Sequence, residues 1–88
     1  MRFAEELYVG KSIEDTAAVV SLMEMGITAP GVFCVCVRDN GSFSYEIMSS
    51  GQLLTERNAG KYTVIGVARG KREAFELLRF ILEDTNAY

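Results

Sequence analysis

Two hydrophobic periods alternate along the chain. Leu7-Tyr8-Val9, reaching back toward Phe3, is a short apolar run that Gly10 closes. Beyond it the period lengthens. Ile13, Ala17, Val20 and Met23 recur at helical spacing, with Thr16 and Ile27 near the same stripe. Ser12 with Asp15 three residues on is a variant of the capping box, and Glu14 and Asp15 suit the positive end of the helix dipole. Gly26 fits the position just past a helix, with Ile27 folding back on Leu22 in a Schellman motif. The pattern predicts a helix from about Ile13 to Met25.

Pro30-Gly31 then breaks the chain, and Val32-Phe33-Cys34-Val35-Cys36-Val37 is a β-rich apolar run. Asp39-Asn40-Gly41 is a turn signal, and Phe43, Tyr45 and Ile47 alternate with Ser44 and Glu46 on a returning strand. Ser49-Ser50-Gly51 ends it. Gln52 to Thr55 reads as a helical turn or an irregular edge, and Asn58-Ala59-Gly60 as a turn. Tyr62 to Ala68 is a further strand. A last helix runs from about Lys71 to Asp84, with Ala74, Leu77, Leu78, Ile81 and Leu82 on one stripe.

The order β-α-β-β-β-α predicts a single α+β domain over residues 1–88: a two-layer sandwich, its four-stranded, mainly antiparallel sheet carrying both helices on one face. One feature strains against that plan. Phe33, Val35 and Val37 point one way and Val32, Cys34 and Cys36 the other, yet both sets are apolar, and Val64 to Ala68 behaves similarly. A second sheet face must therefore be covered. A homodimer, a partner chain or the Gly51–Lys61 segment would do so. Phe80 falls off the apolar stripe of the last helix, beside Glu73, Glu76 and Glu83. Phe33, Val35, Val37 and Phe80 are thus the expected interface.

Composition narrows the function. The 88 residues are 49% hydrophobic and 24% charged, which suits one small folded domain. A net charge of −3 disfavours nucleic acid and anionic membranes as global electrostatic partners. No apolar run approaches the roughly 20 residues of a membrane span, and the acidic start does not resemble a signal peptide. The expected location is the cytoplasm. Histidine is absent, which removes His-based triads and His metal ligands. Cys34 and Cys36 lie two apart on a strand. That spacing suits neither a disulfide nor a four-ligand zinc site, so they read as small buried hydrophobes. No cofactor or metal is expected.

Few residues offer catalysis. The adjacent acids Glu5-Glu6, Glu14-Asp15 and Glu83-Asp84 diverge on regular elements, and the serines have no evident base. Glu46 is the one acid in a β-rich context. Enzymatic activity is therefore not the leading reading. Gly66-Val67-Ala68-Arg69-Gly70-Lys71-Arg72 approaches a phosphate-binding loop but has three residues where four are needed, and Arg where Ser or Thr must hold magnesium. What remains is a charge mismatch. Arg69, Lys71 and Arg72 crowd the start of a helix, where the dipole disfavours cations, so Arg69, Gly70, Lys71 and Arg72 form a candidate anion site.

Two resemblances bear on these residues. The order α-β-β-β-α from Ser12 to Glu83, and "GVARGKREAFELL" within it, is similar to double-stranded-RNA-binding domains, whose last helix opens on Gly-x-x-Lys-Lys-x-Ala. The likeness implies phosphate contacts at Lys71 and Arg72 and a small packing residue at Ala74. It departs at Phe75, in net charge and in the strand before the first helix. The segments "ELYVGKSIEDT", "YEIMSSGQLL" and "YTVIGVARGKREAFELLRFILED" cover more of the chain. They resemble a group of short hypothetical bacterial proteins with no assigned activity, which implies a compact bacterial domain. The leading expectation is a small, non-enzymatic, cytoplasmic binding or regulatory module that self-associates as a homodimer or joins a protein partner. The alternative is binding of nucleic acid or a phosphate ligand at the start of the last helix.

Overall fold

A computed structural model describes residues 1–40 and 44–85. The elements are β1 (Arg2–Val9), α1 (Thr16–Glu24), β2 (Val32–Arg38), β3 (Tyr45–Ser49), α2 (Ser50–Leu53), β4 (Tyr62–Arg69) and α3 (Lys71–Thr85). The chain is an α+β protein with one mixed, mostly antiparallel sheet in the order β1-β4-β2-β3. β2 runs antiparallel to both β3 and β4, while β1 lies parallel to β4. Gly41 and Phe43, from the expected turn and returning strand, lie outside the described residues.

Helix α1 begins later than the pattern suggests. Its cap is Asp15, whose carboxylate accepts the Ala18 amide at 3.0 Å, rather than Ser12. Its buried residues are Val19 and Met23, so Ala17 stays outside. Its end follows the Schellman expectation: Gly26 takes φ +77°, and the Ile27 amide donates to Leu22 O at 2.9 Å. Ser49-Ser50-Gly51 does more than end a strand. Ser49 and Gln52 form a reciprocal capping box that starts α2.

The expectation that both helices lie on one face is corrected. Ile13, Val19 and Met23 join Leu53 over Val32, Cys34, Cys36, Tyr62, Val64 and Val67. Ala74, Leu77 and Ile81 of α3 pack instead with Val35, Ala68 and the half-buried Phe33, Tyr45, Ile47 and Ile65. Neighbouring residues of a strand point to opposite faces, so α1 and α2 cover one side of the sheet and α3 the other. This accounts for the two-faced apolar pattern of β2 and β4, the central strands: both faces are buried by the chain itself.

A bulge helps α3 to sit close. Val35 pairs with Gly66 and Cys36 with Val64, leaving Ile65 as the extra residue on β4. Ile65 and Gly66 consequently both belong to the α3 side. A Cβ at Gly66 would lie 2.9 Å from Leu77 Cδ2 and 3.3 Å from Ile81 Cδ1, so the bare glycine backbone sets how near the helix approaches.

Candidate functional site

The junction of β4 and α3 gathers the residues of the expected anion site. Gly70 turns the chain with φ +88°, its amide donating to Gly31 O at 2.8 Å and its carbonyl accepting the Ala74 amide. Lys71 and Arg72 are exposed on the first turn. Glu73 folds back between the Arg69 amide and the loop after β1. Its Oε1 accepts the Arg69 amide at 2.8 Å and its Oε2 the Ser12 amide at 3.1 Å. Arg69 Nε donates to Ser12 O at 3.3 Å, and Gly10 leaves the space that the Glu73 carboxylate fills. The chain thus supplies its own anion where the helix dipole and the cations call for one.

The Arg69 amide first, then the Ser12 contacts, hold the Glu73 carboxyl below its ordinary value of 4.5. A lowered folded value means that its stabilising effect is complete above that value and fades as pH falls through the depressed one. Glu73→Ala is therefore expected to cost about 1 kcal/mol at pH 7, the usual worth of a helix cap. Urea melts at pH 7 and pH 3 check this: the gap between wild type and variant should narrow at the lower pH.

Beside this junction, a trough of about 430 Å³ runs between β1 and α3, lined in part by Tyr8, Lys11, Glu76, Leu77 and Phe80. Tyr8 OH donates to Asp84 Oδ2 at 2.5 Å, and its ring meets Phe80 edge-on with centroids 6.0 Å apart. The Asp84 carboxylate, by accepting this bond, pushes the Tyr8 phenol above its ordinary value of 10.0.

A third cluster escapes sequence reasoning. The Tyr62 ring is buried, and its hydroxyl accepts from Arg38 Nη2 at 2.9 Å and donates to Glu46 Oε1 at 3.1 Å. The Arg38 guanidinium also lies 5.2 Å from the ring centroid, a cation–π contact. Cys36 Sγ donates to Glu46 O at 3.4 Å. These residues come from three strands, with Arg38 opposite Tyr62 and Cys36 opposite Glu46 in the ladders. The only advance signal was an acid, Glu46, in a β-rich run. Glu46 and Tyr62 edge an open groove of about 560 Å³, to which Gln52, Thr55, Arg57 and Asn58 contribute. The phenol, guanidinium and carboxylate satisfy one another, which makes the cluster a polar clamp between strands.

The expected interface residues separate. Val35 is fully buried beneath α3, so it presents no surface. Phe33 and Val37 are half-buried. Phe80 is 55% exposed, on the β1 side of α3 next to Tyr8. Among the described residues no group of three or more Cys, Asp or Glu side chains is placed to hold a metal ion, and no helix is long and apolar enough to cross a membrane. Comparison with protein-family models, with curated proteins and with solved structures finds no match for this chain.

Proposed function

We propose that this chain is a small, non-enzymatic binding or regulatory module of the bacterial cytoplasm, and that it self-associates along a margin of the sheet that α3 leaves open. The observation that carries this reading is a mismatch of widths. Four strands about 4.8 Å apart present a face roughly 14–19 Å wide, whereas a helix is about 10 Å across. One helix leaves both margins of that face open. Phe75 is 54% exposed, Phe80 55% and Leu82 39%, which leaves apolar surface on both flanks of the buried stripe of α3. Light scattering coupled to size exclusion tests the reading. The mass should rise from 9.7 kDa toward twice that value as concentration increases, and a constant 9.7 kDa up to about 1 mM, where even a weak dimer forms, would defeat it.

The alternative, a nucleic-acid or phosphate ligand at the start of α3, has the exposure of Lys71 and Arg72 in its favour and the Glu73 carboxylate against it. It requires a salt-sensitive shift of double-stranded RNA in a gel, abolished by Lys71→Glu with Arg72→Glu.

A further inference from the structure

The two edges of the sheet are built differently. β1 carries the exposed Arg2, Glu5 and Glu6, and its pairing jumps from Phe3↔Val64 to Tyr8↔Gly66. Five steps along β1 match two along β4, so three extra residues bulge out of the ladder. Charges and bulges are how proteins keep an edge from pairing with another chain. β3 at the opposite edge has no bulge, and its one charged side chain, Glu46, accepts a hydrogen bond from the Tyr62 hydroxyl. It joins β2 in five consecutive, unshifted pairs from Ser49 to Tyr45, without Pro or Lys, and all five residues are half-buried.

We infer that the β3 edge is the seam of a two-fold dimer, in which β3 of a second copy adds antiparallel and centred on Ile47 to make one eight-stranded sheet. The inference rests on the self-association proposed above and names its geometry. A two-fold axis perpendicular to the sheet keeps α3 of both copies on the same side. Tyr45 and Ile47 belong to the α3 side, Glu46 and Met48 to the other. Paired residues of antiparallel strands share a face, so the register must oppose odd with odd and even with even. Pairing Glu46 with itself would set two like charges face to face. Centring on Ile47 avoids this: Ile47 meets Ile47, Tyr45 meets Ser49, and Glu46 meets Met48.

The α3 flank completes the seam. Tyr8, Phe80 and Asp84 tie one side of the helix to β1, so its other side, carrying Phe75, Leu78 and Leu82, overhangs β3. There Leu78 already packs with the cluster that includes Phe33, Tyr45 and Ile47. In the dimer this apolar shelf meets its own copy across the axis. Five strand residues and three helix side chains per copy are well below the roughly 20–30 residues a side of a standard interface, which places the dimer in the weak, micromolar class.

Hydrogen–deuterium exchange, read by mass spectrometry at about 2 μM and about 500 μM alongside the mass by light scattering, tests the seam. Alternate amides of an edge strand point outward. The peptide spanning residues 44–50 should therefore gain roughly two or three protected amides at the high concentration, slowed at least about tenfold, while the peptide spanning 2–9 stays unchanged. A dimer mass with new protection in β1, or none in β3, would overturn the β3 seam and leave self-association standing. A monomer mass at both concentrations would remove the seam and, if it persists up to about 1 mM, self-association with it.

Discussion

Met23→Ala and Ile81→Ala are each expected to lower the free energy of unfolding by about 2–5 kcal/mol, the range for large-to-small changes in a packed core. Both side chains are 1% exposed. A chain of this length has roughly 4–13 kcal/mol of stability in all, so either variant should lose a large part of it. The midpoint of thermal unfolding should fall by about 4–8 °C per kcal/mol. The stronger test is additivity. Met23 lies between α1 and the sheet, Ile81 between α3 and the opposite face. The two clusters have no residue in common, so the two cores share no side-chain partners. The milder pair Val19→Ala and Ile81→Val should add within about 0.5 kcal/mol in urea melts, whereas residues of one shared core would couple by about 0.5–3 kcal/mol.

That arrangement was only half legible in the sequence. The elements, the Schellman end of α1, and the apolar character of β2 and β4 on both faces could all be read directly, because each depends on neighbours within a few residues. What covers the second face could not. It depends on where α3 leaves β4, and so on Gly70 at φ +88° and the bulge at Ile65, which exists only once β2 and β4 are paired. The start of α1 was misplaced for a similar reason. Ser12 looks like a cap, but its amide serves Glu73, 61 residues away. The cations at the start of α3 were visible, as was Glu73, but its reach back to the Arg69 amide and the loop after β1 was not. The Arg38–Tyr62–Glu46 clamp had the weakest local signal, since ladder register alone brings its members together.

The second large effect is expected at alkaline pH. Cys34 and Cys36 are fully buried, and loss of hydration pushes each thiol from 9.0 up to about 12. The neighbouring Cys36 adds to the rise at Cys34, and the Glu46 charge to that at Cys36. Between these values the unfolded chain releases protons that the folded chain keeps. The unfolded state then binds fewer protons than the native one, so stability falls as pH rises above 9. At pH 10 the loss is about 1.4 kcal/mol for each thiol and about 3 kcal/mol for both, using 1.36 kcal/mol per pH unit. At pH 8 the same shift reduces the thiolate fraction about a thousandfold. Alkylation of the folded protein should therefore wait on unfolding, whereas in urea both thiols react at once. The pH dependence of urea melts from pH 8 to pH 10 measures the effect against Cys34→Ala with Cys36→Ala. The variant is less stable at pH 8 because two small buried side chains are trimmed. It retains any contribution from Tyr8 but none from the thiols, so its stability should fall less steeply and the two curves should converge by about 3 kcal/mol at pH 10. Parallel curves would mean that the thiols ionise as easily in the folded chain as in the unfolded one, which two side chains sealed between the sheet and α1 cannot do without opening that side of the core.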